Sequence, residues 1–276
     1  MMRGIAGTAN SVYERGQPTW GGDNRMNLRE KCALVVGASA GIGEEVAREL
    51  GARGYRVALV ARREESLRKI ADDINSRAGQ TLAHVFPHDV QNIQEIPELF
   101  EKIFVELGGL NDVYYVAGVM PRVAPDEYNT EKDALMVQVN LMGCIAWLNA
   151  AADLFNRLKS GVIVGVGSIA GDRGRRGQPV YNTTKGAQAI YLESLRNRLA
   201  AHDRVRVVTI KPGYVETEML AGMGNLLWMI SAAEAARRIV NAGEHSRGTV
   251  YVPRRWRVVS WVLRAIPSFI FKKLEV

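Results

Sequence analysis

Tyr181 and Lys185 stand four residues apart in Tyr181-Asn182-Thr183-Thr184-Lys185, a spacing that sets both side chains on one helix face about a turn apart. A free phenol titrates at about pH 10 and is a poor acid–base at neutrality; a neighbouring ammonium stabilises the phenolate and pulls that pKa down. Such a tyrosine can exchange a proton with a substrate oxygen. By itself the pair is common on helices and reads as an ordinary solvated pair. Ser168, 13 residues upstream and just after an apolar run, gives it more weight, because its hydroxyl can hydrogen-bond a carbonyl oxygen.

A second chemistry is written in Gly37-Ala38-Ser39-Ala40-Gly41-Ile42-Gly43. Placed between a strand and a helix, such a loop offers backbone N–H groups and a helix N-terminus to a pyrophosphate. Glycine also serves turns and helix–strand packing, so the context carries the dinucleotide reading more than the spacing does. The next apolar run ends Val60-Ala61-Arg62-Arg63, without the acid that usually accepts hydrogen bonds from the adenosine ribose of NAD. An arginine there pairs with a 2′-phosphate, so the expected cofactor is NADP(H). The alternative is that Arg62 and Arg63 form a solvated helix entry.

The elements that must hold these groups are short apolar runs alternating with helical stretches. The strands are expected at Cys32–Val36, Val57–Val60, Leu82–Phe86, Val113–Val116, Val162–Val166, Val205–Ile210 and Thr249–Val252. The helices fall at Glu44–Ala52, Glu64–Arg77, Ile93–Leu107, Lys132–Leu158, Val180–Ala201 and Ala232–Ala242, the last opened by a capping box from Ser231 to Glu234. Parallel crossovers need a helix's length of chain, so this alternation predicts an α/β protein: one doubly wound Rossmann domain, a seven-stranded parallel sheet with helices on both faces. Ligands bind at the carboxyl edge of such a sheet, where Ser168 falls.

Taken together, the glycine loop, Ser168, Tyr181 and Lys185 make the chain resemble the classical short-chain dehydrogenase/reductase family, over Leu28 to Val252. The resemblance implies an NADP(H)-dependent oxidoreductase moving hydride between nicotinamide and a carbonyl or secondary alcohol. Tyr181 would be the general acid in reduction, Lys185 the group that lowers its pKa and holds the nicotinamide ribose, and Ser168 the group that fixes the substrate oxygen. Asn140 falls where the family carries a fourth catalytic residue, positioned to hold a water that relays protons to the lysine. Cofactor contacts are implied for Tyr181 and Lys185 and for Gly37, Ser39, Gly41, Ile42, Gly43, Arg62 and Arg63. They are implied also for Asp89 and Val90 after the third strand, for Ala117 and Gly118, and for Pro212, Gly213, Val215 and Thr217 after the sixth. The chain departs from the pattern at Val36-Gly37, where the family has Thr-Gly, and at Tyr115-Val116-Ala117-Gly118, where it has Asn-Asn-Ala-Gly. Family members form dimers or tetramers through the helices around Asn140 and Tyr181, so a homodimer or homotetramer is expected.

The rest of the sequence narrows the classes. With 276 residues, 47% hydrophobic and 24% charged, it suits one large domain and is too apolar for disorder. Two distant cysteines, Cys32 and Cys144, make neither a disulfide scaffold nor a zinc module, and point to a reducing, cytoplasmic setting. No metal set is expected: His84, His88, His202 and His245 read as structural. Residues 1–27 show no apolar leader and read as a flexible extension. The uncharged stretch Ala134–Ala152 reaches transmembrane length but carries Gln138, Asn140 and Asn149, and reads as a buried helix.

Of the net charge of +7, five units lie in residues 254–276, which argues against nucleic acid as the partner. That basic tail sets Trp256, Trp261, Val258, Val259, Val262, Leu263 and Ile266 against Arg257, Ser260 and Arg264. It suits peripheral contact with a membrane and equally packing on a neighbouring subunit. The loop Gly171–Gly177, with Arg173, Arg175 and Arg176, could grip a phosphate, or be a solvated or intersubunit loop. Ser168–Arg176 and the tail are loosely similar to decaprenylphosphoryl-ketopentose reductases, which act on a lipid-linked keto-sugar. With Met219, Met223 and Met229 in the loop 219–230, these features extend the expected substrate from a small ketone or alcohol to an apolar or lipid-linked one.

Overall fold

Val, Ile, Leu and Ala fill the strands because both faces of the sheet are covered, leaving no solvent side for an alternating polar residue. The computed structural model describes residues 31–222 and 226–274; residues 1–27 and Met223 lie outside them. In chain order the strands are β1 (Cys32–Val36), β2 (Arg56–Ala61), β3 (Ala83–Pro87), β4 (Asp112–Tyr115), β5 (Ser160–Val166), β6 (Arg204–Pro212), β7 (Val215–Glu216), β8 (Ile230–Ser231) and β9 (Thr249–Val252). Seven of them form one sheet in the order β3-β2-β1-β4-β5-β6-β9, every neighbouring pair parallel. The remaining two, β7 and β8, pair with each other in a separate two-stranded sheet, a feature the sequence pattern did not reveal.

Helices α1 (Gly41–Ala52), α2 (Glu64–Ala78), α3 (Ile96–Leu107), α4 (Thr130–Met136), α5 (Gly143–Leu158), α6 (Pro179–Arg198) and α7 (Ala232–His245) supply the crossovers. One core lies between the sheet and α1, α2 and α7, where Val46, Leu50, Leu67, Ile70 and Ile239 meet Val35, Leu59 and Val208. The other lies beneath α3, α5 and α6, where Phe100, Ile103, Trp147, Phe155 and Leu192 meet Leu34, Val60 and Ile163. Truncating the fully buried Trp147 to alanine would cost about 3–5 kcal/mol by transfer and cavity terms. As the capping box predicted, Ser231 Oγ accepts from Glu234 N at 3.2 Å to open α7.

The expected single helix from Lys132 to Leu158 starts at Thr130 and is broken in register. Between α4 and α5, Val137–Met142 forms a π turn, so one extra residue bulges from the helix. Thr130–Leu158 is the one described helix long and apolar enough to cross a membrane. Its face carrying Trp147, Leu148, Ala151 and Phe155 is packed into the second core.

After β9 the chain turns into α8 (Trp256–Ala265) and a short α9 (Ser268–Phe271). Trp256 is buried edge-on to Tyr214 and Trp228, with ring centroids 5.4 and 5.7 Å away.

Candidate active site

Strand order reverses between β1 and β4, so the crossovers on either side leave a crevice at the carboxyl edge of the sheet. A cleft of about 650 Å³ opens there, lined from the glycine loop through Ser168, Tyr181 and Lys185 to Tyr214, Met219 and Leu226. Every residue the sequence reading assigned to catalysis or cofactor lines it except Asn140, which lies directly behind it.

Two glycines in the loop have no room for a side chain. A Cβ on Gly37, at φ +95°, would stand 2.5 Å from Ala117 N, and one on Gly43 would stand 2.0 Å from Gly37 O. The backbone is thus folded tightly on itself at the N-terminus of α1, leaving N–H groups and the positive end of the helix dipole toward the cleft. Thr217 reaches over from the far side to within 3.1 Å of where a Gly41 Cβ would be. This cradle fits a dinucleotide pyrophosphate, and the residues present could hold a nicotinamide cofactor.

At the end of β2 the two arginines part. Arg63 folds back over the loop, donating from Nε to Ser39 Oγ at 3.3 Å and from Nη2 to Ser39 O at 3.2 Å. Arg62 points toward Asp89, 3.7 Å from its carboxylate, whose other oxygen accepts from Gln91 N at 3.0 Å. Both side chains remain about half exposed and line the cleft, where a phosphate at the adenosine end would meet them.

On the reacting side, α6 begins at Pro179 and brings Tyr181 and Lys185 onto one face, as their spacing requires. Ser168 leaves β5 and caps a short 3-10 turn, Oγ accepting from Ala170 N at 3.1 Å. Burial pushes the Tyr181 phenol up, and its hydrogen bond with Ser168 opposes the rise. Burial also depresses the Lys185 ammonium to about 8, with the Cys144 thiol opposing. Lys185 Nζ donates to Val166 O at 3.1 Å and lies 5.9 Å from the centre of the Tyr181 ring. Burial is thus the larger of the influences on the phenol.

Asn140 sits in the π turn, wholly buried. Its side chain accepts from Val119 N at 2.7 Å and donates to Val119 O at 2.9 Å, fastening the loop after β4 to the helix. Tyr115, one of the departures from the family pattern, is not simply an apolar filler: its hydroxyl donates to Val139 O at 2.6 Å inside the same turn. Gly143 makes that possible, since a Cβ there would lie 2.8 Å from the hydroxyl oxygen.

Sequence reasoning missed Gln188. Fully buried on α6, it accepts from Lys185 Nζ at 3.2 Å and donates to the Asn140 carbonyl at 3.4 Å, joining two residues of the site. The available signal was a polar residue one turn beyond Lys185 on the same face.

The three loop arginines are divided. Arg173 is unavailable to a phosphate in the cleft: its Nη1 donates to Leu263 O and Ile266 O at the end of α8, and its guanidinium stacks 3.9 Å from the Phe271 ring centre. Arg176 lines a separate hollow with Phe271 and Lys272. Only Arg175 of the three lines the main cleft. Between them and Ser168, Asp172 is buried in a network that no motif announced. It pairs with Lys211 and accepts from Ser260 Oγ at 2.6 Å and Tyr251 OH at 3.0 Å, linking the loop to β6, β9 and α8.

The geometry agrees with what known proteins share. Residues 31–225 match the short chain dehydrogenase family. An uncharacterized oxidoreductase of Mycobacterium tuberculosis is 29% identical over 80% of this chain and 87% of its own length. A bovine 3-oxoacyl-[acyl-carrier-protein] reductase is 34% identical over 69% of this chain and 78% of its own. Among solved structures, a short-chain dehydrogenase/reductase from Mycobacterium ulcerans superposes with a TM-score of 0.74 at 24% identity, covering 80% of this chain and 88% of that one. An actinorhodin polyketide ketoreductase with NADPH gives 0.72 at 25% identity, covering 81% and 95%. With the match over most of its length, the sheet order and the Ser168, Tyr181 and Lys185 cleft beside a glycine cradle, this chain belongs to the short-chain dehydrogenase/reductase family of oxidoreductases acting on CH–OH and C=O groups with a nicotinamide cofactor.

Proposed function

We propose that the protein is an NADP(H)-dependent ketoreductase acting on an apolar carbonyl substrate. The observation that carries the reading is the joining, in one cleft, of Tyr181 and Ser168 with an arginine pair at the end of β2 where an NAD-binding acid would stand. When bound, the nicotinamide would supply or accept the hydride. Ser168 Oγ orients the substrate oxygen; Tyr181, kept protonated by burial, donates a proton to it in reduction; Lys185, anchored on Val166 O and Gln188, places positive charge behind that proton donor. Val119, Met120, Ile169, Leu220 and Leu226 line the remainder of the cleft and favour an apolar substrate body. A panel of aliphatic ketones with NADPH and with NADH, run on the wild-type chain and on Tyr181→Phe, tests this. NADPH-linked turnover that the substitution abolishes is expected. NADPH binding without turnover of any carbonyl would favour a non-catalytic dinucleotide sensor.

A cytoplasmic enzyme docked peripherally on anionic membrane is the fuller reading of the tail. What supports it is the outward face of α8, where Val258, Trp261, Val262 and Ala265 follow helical spacing and are exposed while Trp256 and Ser260 are buried. Residues 254–274 carry six arginines and lysines and no acid, so a second copy meeting this stripe about a two-fold axis would bring like charges together. Assembly as a homodimer or homotetramer is assigned instead to α5 and α6, where Ile190 is exposed. Sedimentation with phosphatidylglycerol vesicles, lost on Trp261→Asp and absent with phosphatidylcholine, is the expected result. No sedimentation of the wild type would remove the membrane from this reading and leave a reductase of free small ketones.

A further inference from the structure

The segment between Ser168 and Tyr181 is held at both ends and presents one charged residue to the cleft. At its start, Gly171 packs so closely on α6 that a Cβ would lie 2.5 Å from the Lys185 carbonyl carbon. Asp172 is then fixed by Lys211, Tyr251 and Ser260, and Arg173 by the end of α8. At its other end, Gly177 O accepts from Asn182 Nδ2 at 3.0 Å. Gln178, in the left-handed region at φ 55°, sets its amide, in the better-satisfied orientation, between Pro121 O at 3.3 Å and Val123 N at 3.2 Å. Arg175 lies in the middle of this braced span, in the wall of the cleft.

Among the described residues, four arginines and lysines line that cleft. Arg62 faces Asp89, Arg63 is bonded to Ser39, and Lys185 is bonded to Val166 O and Gln188. Arg175 has no ion pair or hydrogen bond among the described residues, and its Nε is shielded from solvent without a partner. A guanidinium is permanently charged and offers paired N–H groups in a rigid fork that matches a carboxylate or phosphate. Shielding one of those N–H groups and leaving it unbonded is unfavourable, while the other N–H groups of this half-buried side chain have no partner among the described residues and can meet an anion in the cleft. Elsewhere in the cleft lining Met120, Ile169, Leu220 and Leu226 are apolar and suit a chain rather than a second charge.

We propose that Arg175 is the anchor for an anionic group of the substrate, so that the carbonyl compound reduced here carries a carboxylate or phosphate on an apolar body. This rests on the ketoreductase reading and names the substrate class of the same cleft. It assigns the anion to one arginine, with Arg173 serving to brace the loop and Arg176 facing elsewhere.

The test is calorimetric and needs no turnover. NADP⁺-saturated protein is titrated with octanoate, octyl phosphate and 1-octanol, using the wild type, Arg175→Met and Arg175→Lys. At least one anion is expected to bind the wild type tenfold or more tighter than the alcohol. Arg175→Met should erase that preference and Arg175→Lys should retain part of it, with NADP⁺ affinity unchanged in all three. Whichever of the two anions shows the larger loss identifies the head group. Equal binding of alcohol and anions by the wild type, or an anion preference that survives Arg175→Met, would overturn the proposal. Failure of the wild type to bind NADP⁺ would instead overturn the cofactor reading, and the same three probes titrated without NADP⁺ would still decide the role of Arg175.

Discussion

Lys185 Nζ donates a hydrogen bond to Gln188 Oε1 over 3.2 Å, one turn along α6 and out of reach of solvent. Because the Gln188 amide also donates to the Asn140 carbonyl, the ammonium is tied through one side chain to the π turn that holds the loop after β4. Burial has already lowered Lys185 to about 8, so every acceptor it retains affects where it loses its proton.

Reduction should therefore fail on the alkaline side as Lys185 deprotonates. In Gln188→Leu the charged form loses an acceptor, and the alkaline limb of kcat should move to lower pH by about one unit. Gln188→Glu, with a carboxylate facing the ammonium, should move it upward. Both are read from pH–rate profiles with NADPH and a ketone substrate. A Gln188→Leu profile that keeps its limb while only thermal stability falls would reduce Gln188 to packing.

Tyr181→Phe removes the proton donor and little volume. kcat should drop by about 10²–10⁴-fold, the range ascribed to general acid catalysis. Quenching of protein fluorescence by NADPH should be unchanged. Comparable turnover in this variant would place the proton donor elsewhere.

At the adenosine end, replacing Arg62 and Arg63 together by alanine removes two cations from the site expected to meet a 2′-phosphate. Charged hydrogen bonds of this kind contribute about 1.5–3 kcal/mol, so the ratio of NADH to NADPH dissociation constants should shrink about ten- to a hundredfold. Equal affinities in the unmodified protein would show that the arginines serve only as a solvated helix entry.

Asp112 gives a pH test of stability away from the cleft. Burial raises its carboxyl from an ordinary 3.8 to about 7, against the opposing charges of Arg206 and Lys31, with Glu244 adding to the rise. The folded chain thus holds this proton more tightly than the unfolded one. The stability contributed is fully present below about pH 4, is lost as pH rises toward 7, and stays lost above it. Asp112→Asn should accordingly gain about 2–4 kcal/mol on the wild type between pH 4 and pH 8, measured by urea denaturation at each pH.

The sheet was legible because its strands are largely apolar and each crossover is long enough for a helix; all seven expected strands appear within two residues of the expected bounds, in one parallel sheet. Tyr181, Lys185 and Ser168 were legible because spacing along a helix and position after a strand are local properties. The π turn at Val137–Met142 was not, since its extra residue is recognised only by where Asn140 and Tyr115 find partners far along the chain. Nor was the pairing of Asp172 with Lys211, Tyr251 and Ser260, whose members come from four elements and meet only on folding. Charge alone made Arg173, Arg175 and Arg176 look equivalent, whereas the fold sends each to a different neighbour.

Arg173 and Asp172 make α8 a handle on the cleft wall, because the same two residues that brace Arg175 also grip the last helices. Fusion partners, purification tags and immobilisation chemistry attached after α9 would pull on that handle. For anyone building a biosensor or biocatalyst from this protein, tension applied through residues 256–274 would reach the cleft at two points, the wall that holds Arg175 and, through Trp256 packed on Gly213, the segment after β6.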